Sequence, residues 1–310
     1  MTRSGQHATA GRAASAIHDL GYKRYLGTRR PQSTRWRVLV KNVVSTSWRG
    51  WWRMKMWVVG CAITTVGIGV PMYISRDRIF DELVRRGMTI RWADALLPMS
   101  FRFFPWFAFI LAAATAAGTV ARDMRAGAFE FYFSRPVRPL DYMLGKVVGS
   151  ALVVSTAMLA GPLLLSLFRV GLSRELDEIL PTLSMVPRTA LVGLLGSVAF
   201  AVVALAFSSL SSRPRITTAI WVAFYLLFGG VAEGLSHALR SPDLAALSLP
   251  RAVEGFAFGL FQVSSAQVPG FDVTPGIAVS YGSLLAYTAV GLVILNVRVR
   301  QAERAGLGGG

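Results

Sequence analysis

The sequence contains one cysteine and three histidines, so it has few of the side chains that bind metals or form disulfides. A single cysteine, Cys61, excludes an intrachain disulfide. None of His7, His18 and His237 has a carboxylate or a thiol at a ligand spacing, and no H-E-x-x-H motif occurs. We therefore expect no metal site and no cofactor bound by this chain.

The sequence also lacks the groups on which most enzymes depend. It has no G-x-x-x-x-G-K-[ST] phosphate loop, because Gly145-Lys146 is followed by valine and has no upstream glycine at the required spacing. Ser155 and Ser197 lie in apolar stretches with no nearby histidine to act as a base. We predict that the chain is not itself an enzyme.

Long apolar stretches dominate what is present. Hydrophobic residues make up 53% of the chain, and its mean hydropathy is +0.49. Six stretches approach the length of about 20 residues that a helix needs to cross a bilayer core. A helix is expected because it satisfies its own backbone polar groups where water is absent. The predicted fold class is all-α, a polytopic membrane protein with six transmembrane helices at 56–74, 103–121, 147–168, 189–210, 216–235 and 276–297.

Ionisable side chains are nearly absent from these six stretches. Glu233, near one end of the fifth, is their only acidic residue, and no Lys or Arg lies inside them. Ion-coupled transporters and pumps keep such groups at mid-membrane. We therefore expect any energy supply to act from outside the bilayer, which disfavours a secondary transporter or a channel.

The net charge of +17 is distributed unevenly between the connecting segments. With the N-terminus inside, the inner segments (1–56, 121–146, 209–215 and 298–310) hold 22 of the 33 Lys and Arg residues but only 5 of the 16 acidic residues. Excess Lys and Arg marks the cytoplasmic side. We expect a multi-pass protein of the cell inner (plasma) membrane with both termini in the cytoplasm. The charge is then explained by topology and by anionic lipid, and not by nucleic acid, for which no binding module is present.

The segment before the first stretch divides in two. Residues 1–32 are polar and predict a disordered cytoplasmic tail, and a flexible tail is also predicted at 301–310. Residues 33–55 have the period of an amphipathic interfacial helix. Its apolar face carries Trp36, Trp51 and Trp52, and its polar face carries Arg49 and Arg53. The alternative is a basic segment that only fixes the topology.

The outer segments differ in polarity. Residues 75–102 mix basic and acidic side chains, and we expect them to be solvated, with a short helix at most. Residues 236–275 contain two apolar pieces that are too short to span a bilayer, so a re-entrant or interfacial hairpin is expected there.

The loop 121–146 carries an unusual aromatic cluster. Four of five consecutive positions are aromatic, Phe129, Phe131, Tyr132 and Phe133, although the loop lies outside the apolar stretches. Exposed apolar clusters promote association, and Pro136 ends the segment. The pattern predicts an amphipathic elbow that presents aromatic rings to a partner. A purely structural loop is the alternative.

The same loop fits a known pattern. Permeases of the ABC type-2 exporter family carry the segment acidic-x-x-x-G-[ST]-hydrophobic-[EQ]-x-hydrophobic-x-S-x-P, followed by an aromatic residue, glycine and lysine. These places are occupied here by Asp123, Gly127, Phe129, Glu130, Ser134, Pro136, Tyr142, Gly145 and Lys146. Ala128 departs from the pattern, because the family has Thr or Ser there. Together with the six stretches and the basic surface helix, residues 33–300 resemble this family.

The resemblance implies a function. The chain would be the permease subunit of an ATP-binding-cassette exporter, with a permease domain over 56–300, working as a homodimer or with a related permease. A separate P-loop ATPase would hold ATP and Mg²⁺. It would dock on the loop 121–146, which would act as the coupling helix. The implied coupling residues are Arg125, Gly127, Phe129, Glu130, Phe131, Phe133, Arg135, Pro136 and Lys146. The three phenylalanines would be anchors buried in the ATPase, and Arg125, Glu130 and Arg135 would pair with its charges.

The alternative from another class is a membrane scaffold or assembly factor that recruits a soluble partner through the aromatic loop. A phosphate-loop ATPase encoded beside this chain would favour the exporter. The cargo is not identified by the sequence, since the apolar stretches suit a lipid-like molecule as well as a small drug.

Overall fold

The computed structural model describes residues 34–49, 51–75, 92–133, 138–173, 176–264, 268 and 274–307. The predicted tail 1–32, Arg135, Pro136 and the end of the predicted tail 301–310 lie outside the described residues. So do the side chains of Trp51, Trp52, Arg53, Glu130, Phe131 and Phe133.

Every regular element in the described residues is helical, which confirms the all-α prediction. A π-helical turn at Phe224–Phe228 and a 3₁₀ helix at Pro242–Leu247 stand between α-helices. The α-helices are α1 (Arg35–Arg49), α2 (Trp51–Ile74), α3 (Trp92–Ser100), α4 (Phe104–Thr115), α5 (Thr119–Arg125), α6 (Ala128–Phe133), α7 (Pro139–Gly171), α8 (Leu176–Leu183), α9 (Met185–Ser208), α10 (Pro214–Ala223), α11 (Gly229–Ala238), α12 (Leu249–Phe261) and α13 (Ile277–Leu307).

Six helical segments of the described chain are long and apolar enough to cross a membrane, which confirms the predicted number. We name them spans 1 to 6 in chain order. They are Met56–Ile74, Ala95–Arg125, Pro139–Gly171, Asp177–Ser208, Pro214–Ala238 and Ile277–Arg304. Span 2 consists of three helices separated by turns at 101–103 and 116–118, and Pro105 opens its middle helix at a position that needs no N–H.

Span 3 packs closely against its neighbours in the centre of the structure. A Cβ added at Gly193 of span 4 would lie 2.4 Å from Leu159 Cδ2 of span 3. A Cβ added at Gly161 of span 3 would lie 2.3 Å from the Phe104 ring of span 2. Helices in membranes approach each other most closely where small residues face a partner. These glycines therefore set the spacing of spans 2, 3 and 4.

The predicted interfacial helix is shorter in the structure than 33–55. Helix α1 ends at Arg49, and Trp51, Trp52 and Arg53 begin the helix that continues as span 1. Within α1, Leu39 and Val43 are buried, and Trp36 is half-buried, whereas Arg49 is exposed. The apolar face of α1 is therefore directed partly at the protein itself.

The end of the bundle away from the loop 121–146 is more buried than expected; we call it the far end (residues 92–103 and 233–263). Helix α3 was expected in a solvated segment, but Ala95, Leu97 and Ser100 are fully buried. The expectation was wrong for this helix because its residues from Ala95 onwards are the apolar start of span 2.

Helix α12 lies in the segment for which a re-entrant or interfacial hairpin was expected. It is 13 residues long, too short to span, and it packs against spans 4 and 6. A Cβ added at Gly259 would lie 2.3 Å from Ile277 Cβ at the start of span 6. The described part of 236–275 is therefore packed into the bundle, in the manner of a re-entrant segment.

Candidate functional site

The loop between spans 2 and 3 is built around a glycine in the left-handed conformation. Helix α5 ends where the Gly127 N–H donates to the Met124 carbonyl at 3.2 Å. Gly127 has φ of +64°, and nothing lies within 4 Å of the position of a Cβ. Glycine is therefore needed here for the backbone conformation and not for space. The turn allows α6 to start in a new direction at Ala128.

Four side chains join the two ends of this loop, and we call them the polar clamp: Thr119, Asp123, Tyr142 and Lys146. Lys146 Nζ lies 2.7 Å from Asp123 Oδ2, and the Tyr142 hydroxyl donates to the same oxygen at 2.7 Å. Lys146 also donates to Thr119 Oγ1 at 3.3 Å and lies 5.5 Å from the centre of the Tyr142 ring. The Lys146 side chain is 5% exposed and that of Asp123 is 18% exposed.

The polar clamp fixes the end of span 2 to the start of span 3. Asp123 and Thr119 belong to α5, whereas Tyr142 and Lys146 lie one turn apart on α7. Helix α7 begins at Pro139, where the Arg138 N–H donates to Asp141 Oδ2 at 3.4 Å. Three positions of the sequence pattern, Asp123, Tyr142 and Lys146, thus converge in space.

Helix α6 rests on the same tyrosine. The Phe129 ring meets the Tyr142 ring edge-on at 5.2 Å, and the Tyr132 ring lies 5.7 Å from it. Burial, together with the Asp123 carboxylate, raises the pKa of Tyr132. Helix α6 also packs against α13. Helix α6 is therefore bound to the bundle through Tyr142 of the polar clamp and through α13.

The structure places Phe129 differently from the sequence prediction. Its side chain is 6% exposed and is held inside this chain, so it is not presented on the surface as a free anchor. Arg125, in the last turn of α5, is exposed as expected. The side chains of Glu130, Phe131 and Phe133, and all of Arg135 and Pro136, lie outside the described residues.

Helix α1 sits on the same two turns of span 3. A Cβ added at Gly145 would lie 2.5 Å from Leu39 Cβ, and one added at Gly149 would lie 2.8 Å from Val43 Cβ. The glycine of the sequence pattern, Gly145, is therefore a residue against which α1 packs. Residues 142–149 bring together α1, α6 and the end of span 2.

The hairpin between spans 4 and 5 is attached to the same end of the bundle. Ser208 Oγ accepts hydrogen bonds from the Val120 N–H at 3.0 Å and from the Ala121 N–H at 3.2 Å. Arg298 of span 6 donates to the Leu210 carbonyl at 3.0 Å. We call this end, formed by residues 119–133, 138–149 and 208–216, the loop end.

The far end contains an ionic cluster that sequence reasoning missed. Arg251 donates from Nε to Glu233 Oε1 at 3.0 Å and from a terminal nitrogen to Glu254 Oε2 at 2.8 Å. Arg102 Nε lies 3.6 Å from the same oxygen of Glu254. The cluster joins span 2, span 5 and α12. The sequence signal that could have found it is the Arg-x-x-Glu pair of Arg251 and Glu254 inside an apolar run.

Glu254 is the most buried member of this cluster. Its side chain is 1% exposed, and its Oε1 has no hydrogen-bond partner among the described residues. Burial raises the pKa of Glu254 above its ordinary value, although Arg251 and Arg102 act in the opposite direction. The cluster therefore holds one carboxylate that is incompletely paired.

Aromatic side chains fill the bundle between its two ends. The ring of Tyr225, on the π-helical turn of span 5, stacks on Phe109 at 4.0 Å, and Trp221 donates to the Phe109 carbonyl at 3.1 Å. π-Helical turns often mark functional positions. The Tyr225 hydroxyl is buried without a hydrogen-bond partner in the described part of the chain.

An apolar cavity of about 420 Å³ lies between spans 1, 2 and 3. Cys61, Thr65, Leu111 and Gly161 are among its lining residues. The Thr65 hydroxyl donates to the Cys61 carbonyl at 2.8 Å, so it does not need a hydrogen-bond acceptor on a bound molecule. The cavity is suited to an apolar group.

A comparison with protein families identifies this arrangement. The model of a family described as "ABC-2 family transporter protein" matches residues 92–297, which include spans 2 to 5, most of span 6, the polar clamp and the ionic cluster. The comparison with curated proteins found no match. The match covers more than half of the chain, and the six spans agree with a membrane permease. The chain belongs to the ABC-2 family of transporter proteins.

Proposed function

We propose that this chain is the membrane-spanning subunit of an ATP-binding-cassette exporter, driven by a separate ATPase that docks on the loop end. The observation that carries the proposal is the polar clamp. A coupling helix has to transmit displacement, and α6 is bound through Phe129 and Tyr142 to spans 2 and 3. A loop that served only as a flexible tether would not need these buried bonds.

In this mechanism, movement of the ATPase displaces α6, and the polar clamp passes the displacement to spans 2 and 3. Helix α1 follows, because Leu39 and Val43 rest on Gly145 and Gly149 of span 3. Interiors packed this closely shift between discrete arrangements rather than deforming gradually. The result is a tilt of the spans that alternates access between the two sides of the membrane.

The coupling residues then have two roles. Phe129, Gly127 and Lys146 position α6 from inside the chain. Arg125 is exposed and offers a charge to the ATPase surface. Glu130, Phe131, Phe133, Arg135 and Pro136 complete the proposed contact surface, with the phenylalanines as the apolar anchors.

The remaining features follow from this assignment. ATP and Mg²⁺ bind to the ATPase, and two permease copies form the pathway. The loop end faces the cytoplasm, with both termini on that side of the plasma membrane, in agreement with the charge distribution of the sequence.

The test is purification of the tagged chain from its own host in mild detergent, followed by mass spectrometry. A P-loop ATPase at near-stoichiometric amount is expected. Phe131→Ala with Phe133→Ala should greatly reduce its recovery, since loss of an interface anchor costs about 2 kcal/mol or more. The matched control is Phe103→Ala, an exposed phenylalanine at the far end, which should leave recovery unchanged.

Two outcomes would contradict the proposal. Absence of an ATPase even after crosslinking in the native membrane would favour the membrane scaffold. Equal recovery with the double variant and with the control would place the docking surface elsewhere. Phe129→Ala provides a separate check, because its main effect should be lower thermal stability of the isolated chain.

A further inference from the structure

A basic groove lies at the loop end, beside the last turn of α5. We define the basic groove by its lining residues, Arg125, Ser212, Arg213, Pro214, Arg215 and Ile216, and its volume is about 610 Å³. All three of its charged side chains are arginines, and all three are exposed. No acidic residue lines it, and none of the three arginines forms an ion pair within the described residues.

The groove differs in this respect from Arg251, from Lys146 and from a second groove at the loop end. Arg251 and Lys146 are each paired with a carboxylate. A second groove at the loop end contains Arg300 and Arg304, but Glu303 also lines it. Of these two grooves, only the basic groove has arginines and no acidic residue among its lining residues. Such a site attracts an anion.

The ends of two spans indicate the level of the basic groove relative to the membrane. Arg125 is the last residue of span 2, and Pro214 is the first residue of span 5. The groove therefore lies where the apolar surface ends, at the level of lipid phosphates. Its walls are held by the two hydrogen bonds to Ser208 and by close packing of Gly118 against Pro214, with a Cβ position 3.4 Å from Pro214 Cβ.

The chemistry of the groove suits an oxyanion such as phosphate. Guanidinium groups bind phosphate oxygens in a bidentate manner, which an ammonium group cannot do. The ten-residue helix α10 begins in the groove with no acidic residue in its first turn, so the positive end of its dipole adds to the arginines.

We propose that the basic groove binds a phosphate group, and that in the membrane this group is the headgroup of an anionic phospholipid. The site shares Arg125 with the proposed ATPase contact but does not include Phe131 or Phe133, and it does not depend on the exporter assignment. It places a lipid headgroup between the end of α5 and the hairpin of spans 4 and 5.

The test compares two double variants. The groove variant carries Arg213→Gln and Arg215→Gln. The control carries Arg300→Gln and Arg304→Gln, and it loses the same charge at the same end of the bundle. Each protein is titrated with short-chain phosphatidylglycerol, with phosphatidylcholine and with inorganic phosphate, and binding is followed by native mass spectrometry and by thermal shift. We expect the groove variant to bind phosphatidylglycerol about 30-fold more weakly, and the control to change little.

The arms of the titration distinguish the sources of phosphate. Stabilisation by phosphatidylglycerol but not by phosphatidylcholine or inorganic phosphate supports a lipid headgroup. Equal stabilisation by inorganic phosphate would overturn the lipid assignment. Equal loss in the groove variant and in the control would overturn the site, because only overall charge would then matter.

A measurement on the unmodified protein avoids dependence on the folding of the variants. Phenylglyoxal, which reacts with arginine, is applied with and without phosphatidylglycerol, and the modified residues are mapped by mass spectrometry. Arg125, Arg213 and Arg215 should be protected, whereas Arg300 and Arg304 should not. Failure of phosphatidylglycerol to protect the three groove arginines would refute the proposal. A bound ATPase in place of lipid would give this result.

Discussion

Removing the charge of Asp123 should destabilise the protein more than removing the charge of Lys146, although both changes delete the same 2.7 Å ion pair. The comparison uses Asp123→Asn and Lys146→Met, which keep the size of each side chain. The polar clamp predicts the asymmetry because the two groups have different remaining partners.

The magnitudes follow from what each variant leaves behind. In Asp123→Asn the Lys146 ammonium is 5% exposed and retains as hydrogen-bonding partner the Thr119 hydroxyl at 3.3 Å. An uncompensated buried charge costs about 3–5 kcal/mol. In Lys146→Met the Asp123 carboxylate keeps the Tyr142 hydroxyl at 2.7 Å and its contact with water, so we expect a loss of about 1–3 kcal/mol.

The double variant sharpens the test. Replacing both members of a buried pair with neutral groups is often close to neutral. The Asp123→Asn, Lys146→Met protein should therefore be more stable than Asp123→Asn alone. The assay is equilibrium unfolding of the purified proteins in mixed micelles, with thermal unfolding as a second readout.

Two results would refute the reasoning. If Lys146→Met were the less stable single variant, Tyr142 would not be the partner that compensates Asp123. If the double variant were no more stable than Asp123→Asn, the cost would not come from a stranded ammonium group.

Three further predictions concern the ionic cluster and the packing of α1 on span 3. Arg251→Ala should be strongly destabilising because it strands Glu254, and adding Glu254→Gln should recover much of the loss; no recovery in thermal unfolding would contradict the pairing. Because the pKa of Glu254 is raised in the folded protein, protonation of its carboxylate favours the folded state. This contribution to stability is complete below the ordinary pKa of 4.5. It is lost as the pH rises through the raised pKa. Melting temperatures of the Glu254→Gln variant should therefore depend less on pH over that range than those of the unmodified protein, and parallel pH profiles would exclude Glu254 as the titrating group. Gly145→Ala should displace α1 and cost about 1–3 kcal/mol in the free energy of unfolding, with partial rescue by Leu39→Ala. An unchanged stability of Gly145→Ala would show that α1 does not rest on this position.

The spans were predictable because their signal is local. A run of about 20 apolar residues identifies a membrane helix without knowledge of its neighbours. The loop pattern was predictable for a similar reason, since Asp123, Tyr142 and Lys146 stand at fixed places in one short segment. Their convergence on a single carboxylate oxygen required the structure.

The failures come from contacts between distant segments. Helix α6 has six residues, too few for a period to show that Phe129 faces inward. The partners of Glu254 include Arg102, which is far away in the sequence and adjacent only after span 2 packs against α12. The mixed charges of 75–102 concealed the buried face of α3, because charge content describes a segment and not each of its helices.

Span 2 links the two ends of the molecule that carry buried charge. Asp123 lies in the polar clamp and Arg102 in the ionic cluster, and a helical path between them is about 30 Å long. The turns at 101–103 and 116–118 divide this path into short helices, while Phe109 in its middle is held by Tyr225 and Trp221 of span 5. In the proposed mechanism, a displacement of α6 would reach spans 2 and 3 directly and would reach span 5 through stacked rings. The far end would resist it through Arg251, which bonds span 5 to α12. In the proposed exporter, the ionic cluster is the restraint that the driving force at the loop end has to overcome.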